Sequence, residues 1–316
     1  MPENFYKEAL KLGQKEKRQL VSRGQYPYLS VLDDMMSKER LNTGKYIGVM
    51  QIPAEFIVGT KTEGRTNAFA ANYMPLLEEG TEFAFKWKML CNAHLEEGIR
   101  DPIKVYEYMN RFYVEEGNKR VSVLKFFGAV SIPAQVTRIL PPKGEEKELK
   151  LYYEFLDFYN CTKINYIEFS KCGSFVKLQK LLGKGTTENW TDDELDAFRA
   201  NYYYFRQLLE ELGGKDLECT VGDAFLGYIS IYGYASFKDK TGREIKQEIG
   251  KIWEELELLQ EEQAIDLKLD PEEEKKKSFF EKLKYVFTGN DIDEDFYFGF
   301  WNCDEIIRFV SIKLEK

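Results

Sequence analysis

Histidine is almost missing: the 316-residue chain has one, His94. Its five cysteines (Cys91, Cys161, Cys172, Cys219 and Cys303) are odd in number and scattered, with no C-x-x-C pair. A Cys/His zinc site needs closely spaced ligands of these types, so none is expected. The same scatter argues for reduced, buried thiols in a cytoplasmic protein. No apolar run reaches membrane-spanning length, and Met1-Pro2-Glu3-Asn4 does not open a signal peptide. Positive charge is short as well. Lys and Arg number 45 against 54 Asp and Glu, a formal net charge of −9. General affinity for nucleic acid or anionic membrane comes from neutralising phosphates with Lys and Arg, so neither partner is expected. A local basic pocket stays open as a reading. No internal repeat is visible.

What is present is the composition of a globular chain, 43% hydrophobic and 31% charged. Aromatic residues make up 15%, which implies a core thick with Phe and Tyr. The length fits one large domain or two ordinary ones. Leu140-Pro141-Pro142-Lys143-Gly144 and the glutamate-rich residues 145–148 form a polar break. It separates an expected domain 1–140 from a second domain, 149–316.

Chemistry concentrates in residues 111–138, which read as strand, glycine turn, helix and strand. Phe112, Tyr113 and Val114 favour a strand. Gly117 supplies a turn, and Asn118 is a good N-cap. Val121, Leu124 and residues 125–127 give one apolar helical stripe. Gly128 stands where a left-handed residue is wanted after a helix. Val130, Ile132, Ala134 and Val136 alternate, with Pro133 near the start, as in a strand at a sheet edge. A glycine turn opening a helix presents unpaired N–H groups at the positive end of the dipole. Lys119 and Arg120 add two charges there, although cations are mildly unfavourable at a helix N-terminus. One reading is a phosphate or other oxyanion site on Gly117, Asn118, Lys119 and Arg120. The other is a solvated first turn.

This stretch resembles the box of the ParB N-terminal / sulfiredoxin-like superfamily, in which a strand leads into Gly-x-x-Arg on a helix N-terminus. Gly98-Ile99-Arg100-Asp101-Pro102-Ile103-Lys104-Val105 resembles that family's G-x-x-x-P-I-x-V strand entry. Ile52-Pro53, Gly59 and Gly64-Arg65-Thr66 resemble its first motif more loosely. The resemblance covers roughly residues 45 to 140 and is similar to the segment found ahead of BMP-family binding domains in some bacterial proteins. It implies an α/β (α+β) fold: a ParB/sulfiredoxin-like mixed sheet with helices, followed here by a mainly helical domain. It also implies that the box binds nucleotide phosphates, ATP or CTP with Mg²⁺. Arg100, Arg65 and Thr66 join Gly117 to Arg120 as expected phosphate contacts. Sulfiredoxins carry a catalytic Cys at the position of Asn118, so sulfinic-acid reduction is not expected. Asn118 also replaces the acid of partition-type ParB proteins. Glu115 and Glu116 are the nearest substitutes, with Asp101 and Glu63 as further carboxylate candidates.

Elsewhere the periodicity predicts an amphipathic helix over 3–22, ended by Gly24 and Pro27, and a docked extended segment at 26–32. Strands are expected at 46–52 and 56–58, a polar loop at 59–66 with Lys61 as a further donor, and a helix from Asn67 to Pro75. A helix over 81–97 is capped by Thr81 and buries Phe83, Phe85, Trp87, Leu90 and Leu95. Strands 103–108 and 112–114 form a hairpin turning at Met109-Asn110. Helices follow at 151–159 and 174–182, with a strand at 165–169. Thr191-Asp192-Asp193-Glu194 is a capping box opening a helix to Leu212. Tyr202 to Phe205 place aromatics around one turn, as in a buried helix, with a base-stacking platform as the sharper reading. Helices are expected at 221–234, 243–262, from Asp270, and at 304–314, and a strand at 296–301.

Three functions are consistent with these residues. The first is a nucleotide- or phosphate-binding module. The second is an enzyme, a nucleotide-dependent small-molecule kinase or ParB-like nuclease, which needs Mg²⁺ and carboxylates. The third is DNA partition, disfavoured by the negative charge and by the lack of a visible helix-turn-helix after the box. The helical domain offers a surface for a protein partner.

Overall fold

Alternating burial organises the first part of the chain into one mixed sheet. The computed structural model describes residues 2–214, 217 and 219–253. The chain divides into two units, Met1–Glu145 and Glu146–Lys316. In the first, α1 (Pro2–Ser22) leads to β1 (Ser30–Val31), the short helices α2 (Leu32–Met35) and α3 (Lys38–Leu41), and β2 (Lys45–Pro53). A 3-10 turn, Ala54–Phe56, precedes β3 (Ile57–Thr60), and a second, Glu63–Ala68, follows it. Then come α4 (Glu82–Glu96), β4 (Ile103–Tyr108), β5 (Arg111–Glu116), α5 (Asn118–Phe126) and β6 (Ser131–Arg138).

The six strands lie in the order β1-β3-β5-β4-β6-β2. The ladders β1–β3, β3–β5 and β4–β6 are parallel; β5–β4 and β6–β2 are antiparallel. Register puts Val105 opposite both Val114 and Val136, so the apolar residues of three strands share a face. Ile103, Phe112, Ile132 and Ala134 extend that face. It packs on Tyr6 and Ala9 of α1, Phe83 and Trp87 of α4, and Val121 and Leu124 of α5. Burial of each Val, Leu, Ile or Phe among them contributes about 1.5–3 kcal/mol. The indole N–H of Trp87 donates to Ser122 Oγ at 2.9 Å, so the buried polar atom is satisfied. Tyr113, Leu32 and Ile139 form a smaller cluster with Tyr106 and Tyr108. At the hairpin, Met109 and Asn110 adopt φ of 54° and 55°, the handedness a two-residue turn requires. The fully buried Glu107 accepts from Asn110 N–H at 2.8 Å and from Arg138 Nε.

Several expectations are corrected. Asn67 and Ala68 end the second 3-10 turn, and residues 69–77 are not helical. Asn72 Oδ1 accepts from Met74 N–H at 3.0 Å, and short bridges join Phe69 to Pro75 and Tyr28 to Ala70. A side chain that bonds its own backbone competes with helix, and Pro75 removes a donor. β6 is internal rather than an edge. Pro133 is tolerated because it faces Gln51 of β2 and precedes Ala134, where the β4 ladder begins. In α4, Phe83, Trp87 and Cys91 are buried, whereas Phe85 and Leu95 are exposed. Phe56 belongs to a 3-10 turn, and Gly59 and Thr60 lie in β3 rather than in a loop. The glycine is needed there, since a Cβ would lie 2.2 Å from Ser30 O on the neighbouring strand.

The second unit contains α6 (Lys147–Thr162), α7 (Ser174–Leu181), α8 (Asp192–Glu211), α9 (Val221–Tyr232), α10 (Ser236–Asp239) and α11 (Gly242–Lys251). Residues 165–169 form no strand, although Tyr166, Ile167 and Phe169 are buried. Capping boxes at Thr191/Glu194, Thr220/Asp223 and Thr241/Glu244 open α8, α9 and α11. Tyr202 and Phe205 are buried and pack edge-on to Phe225, so that turn is core rather than a base platform. Among the described residues no helix is long and apolar enough to cross a membrane. Residues 254–262 of the expected 243–262 helix, the helices from Asp270 and at 304–314, and the strand at 296–301 lie outside the described residues.

Candidate functional site

The strand–turn–helix unit places Gly117 to Arg120 on the wall of a cleft of about 480 Å³. That volume suits a small ligand. Gly117, not Asn118, is the N-cap residue, with φ 114° and ψ 14° and no side-chain cap bond. Asn118 is the first helical residue. The first-turn N–H groups of a helix have no intrahelical acceptor, and a glycine N-cap has no side chain to accept from them. A Cβ on Gly117 would lie 2.6 Å from Ile103 Cγ2, so the turn sits directly on β4.

Thr60, Thr62, Gly64, Glu115 and Glu116 complete the polar wall, and Phe69, Phe83 and Leu90 form an apolar one. Thr60 Oγ1 donates to Val114 O at 3.0 Å and accepts from Asn118 Nδ2 at 3.3 Å. Asn118 Oδ1 is buried without a hydrogen-bond partner among the described residues. Lys119 Nζ lies 5.1 Å from the centre of the Phe83 ring, a cation–π contact that keeps a charge at the mouth of the turn.

No protein-family model and no curated protein matches the chain.

Arg120 lines the cleft and also ties backbone together. Its Nη1 donates to Asp101 O at 3.0 Å and Pro102 O at 3.1 Å, and Nη2 lies 3.8 Å from Glu116. It therefore straps the entry of β4 to the first turn of α5. The two carboxylates both line the cleft, each beside a different lysine. Glu115 pairs with Lys61 at 2.9 Å, and this bond raises the Lys61 ammonium above its ordinary range. Glu116 pairs with Lys104 at 2.7 Å, which holds its carboxyl below the usual range. Both acids are thus neutralised by lysines on neighbouring strands or loops.

The remaining expected contacts lie apart. Arg100, Asp101 and Thr66 do not line the cleft. Arg100 is exposed, and the buried Thr66 donates its hydroxyl to Glu63 O at 3.2 Å. The Arg65 side chain lies outside the described ones. Glu63 is exposed on the second 3-10 turn. His94 accepts from Ile99 N–H at 3.4 Å and packs on Phe127, a structural setting. Thr60, Phe69 and Phe83 were not foreseen as lining residues. Thr60 reaches the site only because β3 runs parallel to β5, a pairing with no local sequence signal.

Proposed function

We propose that the first unit is a phosphate-binding module of ParB/sulfiredoxin-like kind, with a nucleotide such as ATP or CTP as its ligand. The observation that carries this reading is the uncapped first turn of α5, Asn118 to Arg120, on the wall of a small-molecule cleft. First-turn N–H groups, which have no intrahelical acceptor, and the helix dipole favour an anion there. Lys119 adds charge at the same spot, and the apolar wall of Phe69, Phe83 and Leu90 suits a base or sugar. The free thiols Cys91, Cys161, Cys172 and Cys219 support a cytoplasmic setting.

A kinase or nuclease reading needs Mg²⁺ on Glu115 or Glu116. Mg²⁺ takes one or two carboxylates beside phosphate oxygens and several waters. Here each glutamate is already paired with a lysine. Mg²⁺ would have to displace one of these lysines, so binding is the reading proposed. Calorimetric titration with ATP, CTP, GTP and inorganic phosphate, with and without Mg²⁺, tests it. Saturable binding that weakens in Lys119→Ala is the expected result. If none of the four binds, the box is only a scaffold.

A further inference from the structure

The outer face of α1 carries charge that no neighbouring side chain answers. The inner face of this helix is buried through Tyr6 and Ala9. Lys11, Lys15 and Arg18 stand on the opposite side, and all three are exposed. Their spacing, i, i+4 and i+7, lines them up on one face over about 10 Å of helix axis. Among the described residues neither lysine has an ion-pair partner. The Arg18 guanidinium bonds its own backbone, donating from Nε to Gln14 O at 3.2 Å. Like charges four residues apart destabilise a helix. The dipole does not account for them either, since the last turn of α1 holds no basic residue. A stripe of this kind needs an anionic partner.

A phosphate polymer is disfavoured by the net charge of −9. The complement is in the chain itself. Residues 254–274 hold ten Asp and Glu against one Lys. Within them Glu254, Glu257 and Glu261 are three and then four residues apart, which is the spacing of Arg18, Lys15 and Lys11 read backwards. They fall in the helix that the periodicity predicts over 243–262.

We propose that the chain self-associates, the outer face of α1 in one copy taking the acidic stretch 254–261 of a second copy. Run antiparallel, Arg18 meets Glu254, Lys15 meets Glu257 and Lys11 meets Glu261. Each copy carries both elements, so the exchange is reciprocal and a two-fold pair leaves neither unmatched. Exposed ion pairs are individually weak, so three on each side give a reversible dimer that salt loosens.

Sedimentation velocity on the full chain tests this at about 0.1 M and about 1 M salt, between which the Debye length falls from about 10 Å to about 3 Å. A concentration-dependent dimer is expected at low salt, roughly tenfold weaker or more at high salt. Lys11→Glu, Lys15→Glu and Arg18→Glu together should give a monomer with an unchanged circular dichroism spectrum. So should Glu254→Lys, Glu257→Lys and Glu261→Lys together. Mixing the two variants should restore a dimer, because each then meets the opposite sign on both sides. A wild type that stays monomeric at low salt overturns the proposal, as does a mixture that fails to associate. A monomeric wild type whose α1 face instead retains a single-stranded oligonucleotide also overturns it, in favour of a phosphate backbone.

Discussion

Replacing Gly117 by Ala probes the turn that positions the anion site. Two costs add. At φ 114° an L-residue is strained, by about 1–2 kcal/mol in the left-handed region. The new methyl would also meet Ile103, which is fully buried, at 2.6 Å from Cγ2 and 3.1 Å from Cβ. Forced overpacking of that kind costs about 1–3 kcal/mol. A stiffer unfolded chain offsets about 0.4–1 kcal/mol. The expected loss is about 2–4 kcal/mol. Gly128 is the internal control: it has φ 74° but nothing within 4 Å of an added Cβ. Gly128→Ala should therefore cost about 1 kcal/mol, from backbone strain alone. Urea unfolding followed by pulsed hydrogen exchange on peptides from 103–138 isolates this unit from 146–316. Gly117→Ala should also weaken phosphate binding, because the clash with β4 displaces the N–H groups of Asn118 to Arg120. If Gly117→Ala costs no more than Gly128→Ala, the turn does not rest on Ile103 and the reasoning is wrong.

Arg120→Ala should lower both stability and phosphate affinity, since it frees the carbonyls of Asp101 and Pro102; charge-assisted bonds contribute about 1.5–3 kcal/mol, and calorimetry with thermal melts separates the two effects. Lys119→Ala should cost affinity with little change in Tm, its contact with Phe83 contributing about 0.5–1 kcal/mol. Lys125 makes stability rise with pH: below 8 both states carry its proton, and between about 8 and 10.5 only the unfolded state keeps it. At ~1.36 kcal/mol per pH unit that window corresponds to about 3 kcal/mol, and parallel pH–stability curves for wild type and Lys125→Met would contradict it. Glu107→Gln breaks a buried pair with Arg138 and should cost about 3–5 kcal/mol in urea unfolding. Random duplex DNA should not be retained at physiological salt in a filter-binding assay, given the net charge of −9.

The unit 103–138 was readable because its signals are local. Hydrophobic period changes from two to helical across Gly117, and Gly128 takes φ 74° where the helix stops. The hairpin at Met109-Asn110 and the box at Thr191 follow from neighbouring residues in the same way. What stayed hidden depends on distant partners. Nothing near Pro133 says that β4 begins one residue later in the ladder. Phe85 and Leu95 look as apolar as Phe83 and Trp87, and only packing against α1 and α5 decides which face turns inward. In the cleft, Gly117 to Arg120 announced themselves by residue type. The strap from Arg120 to two carbonyls did not, because it needs the geometry of the β4 entry. Nor did Thr60, which a parallel ladder carries to Asn118 across 58 residues of chain.

The order of the strands has a kinetic consequence. The three middle strands, β5, β4 and β6, come from one continuous run, closed by a two-residue turn and a nine-residue helix. The outer strands join over much longer loops: Thr60 meets Val114 across 54 residues, and Gln51 meets Ser131 across 80. Early contacts favour short closures, so the centre should assemble first and β3, β1 and β2 should add to it later. Substitutions at Val105 or Val114 should then slow folding, whereas substitutions at Ile52 should mainly speed unfolding. A chain released from a ribosome would have its sheet's middle late and its flanks early, holding β3 without β5 until residue 116 has emerged and β2 without β6 until residue 138 has.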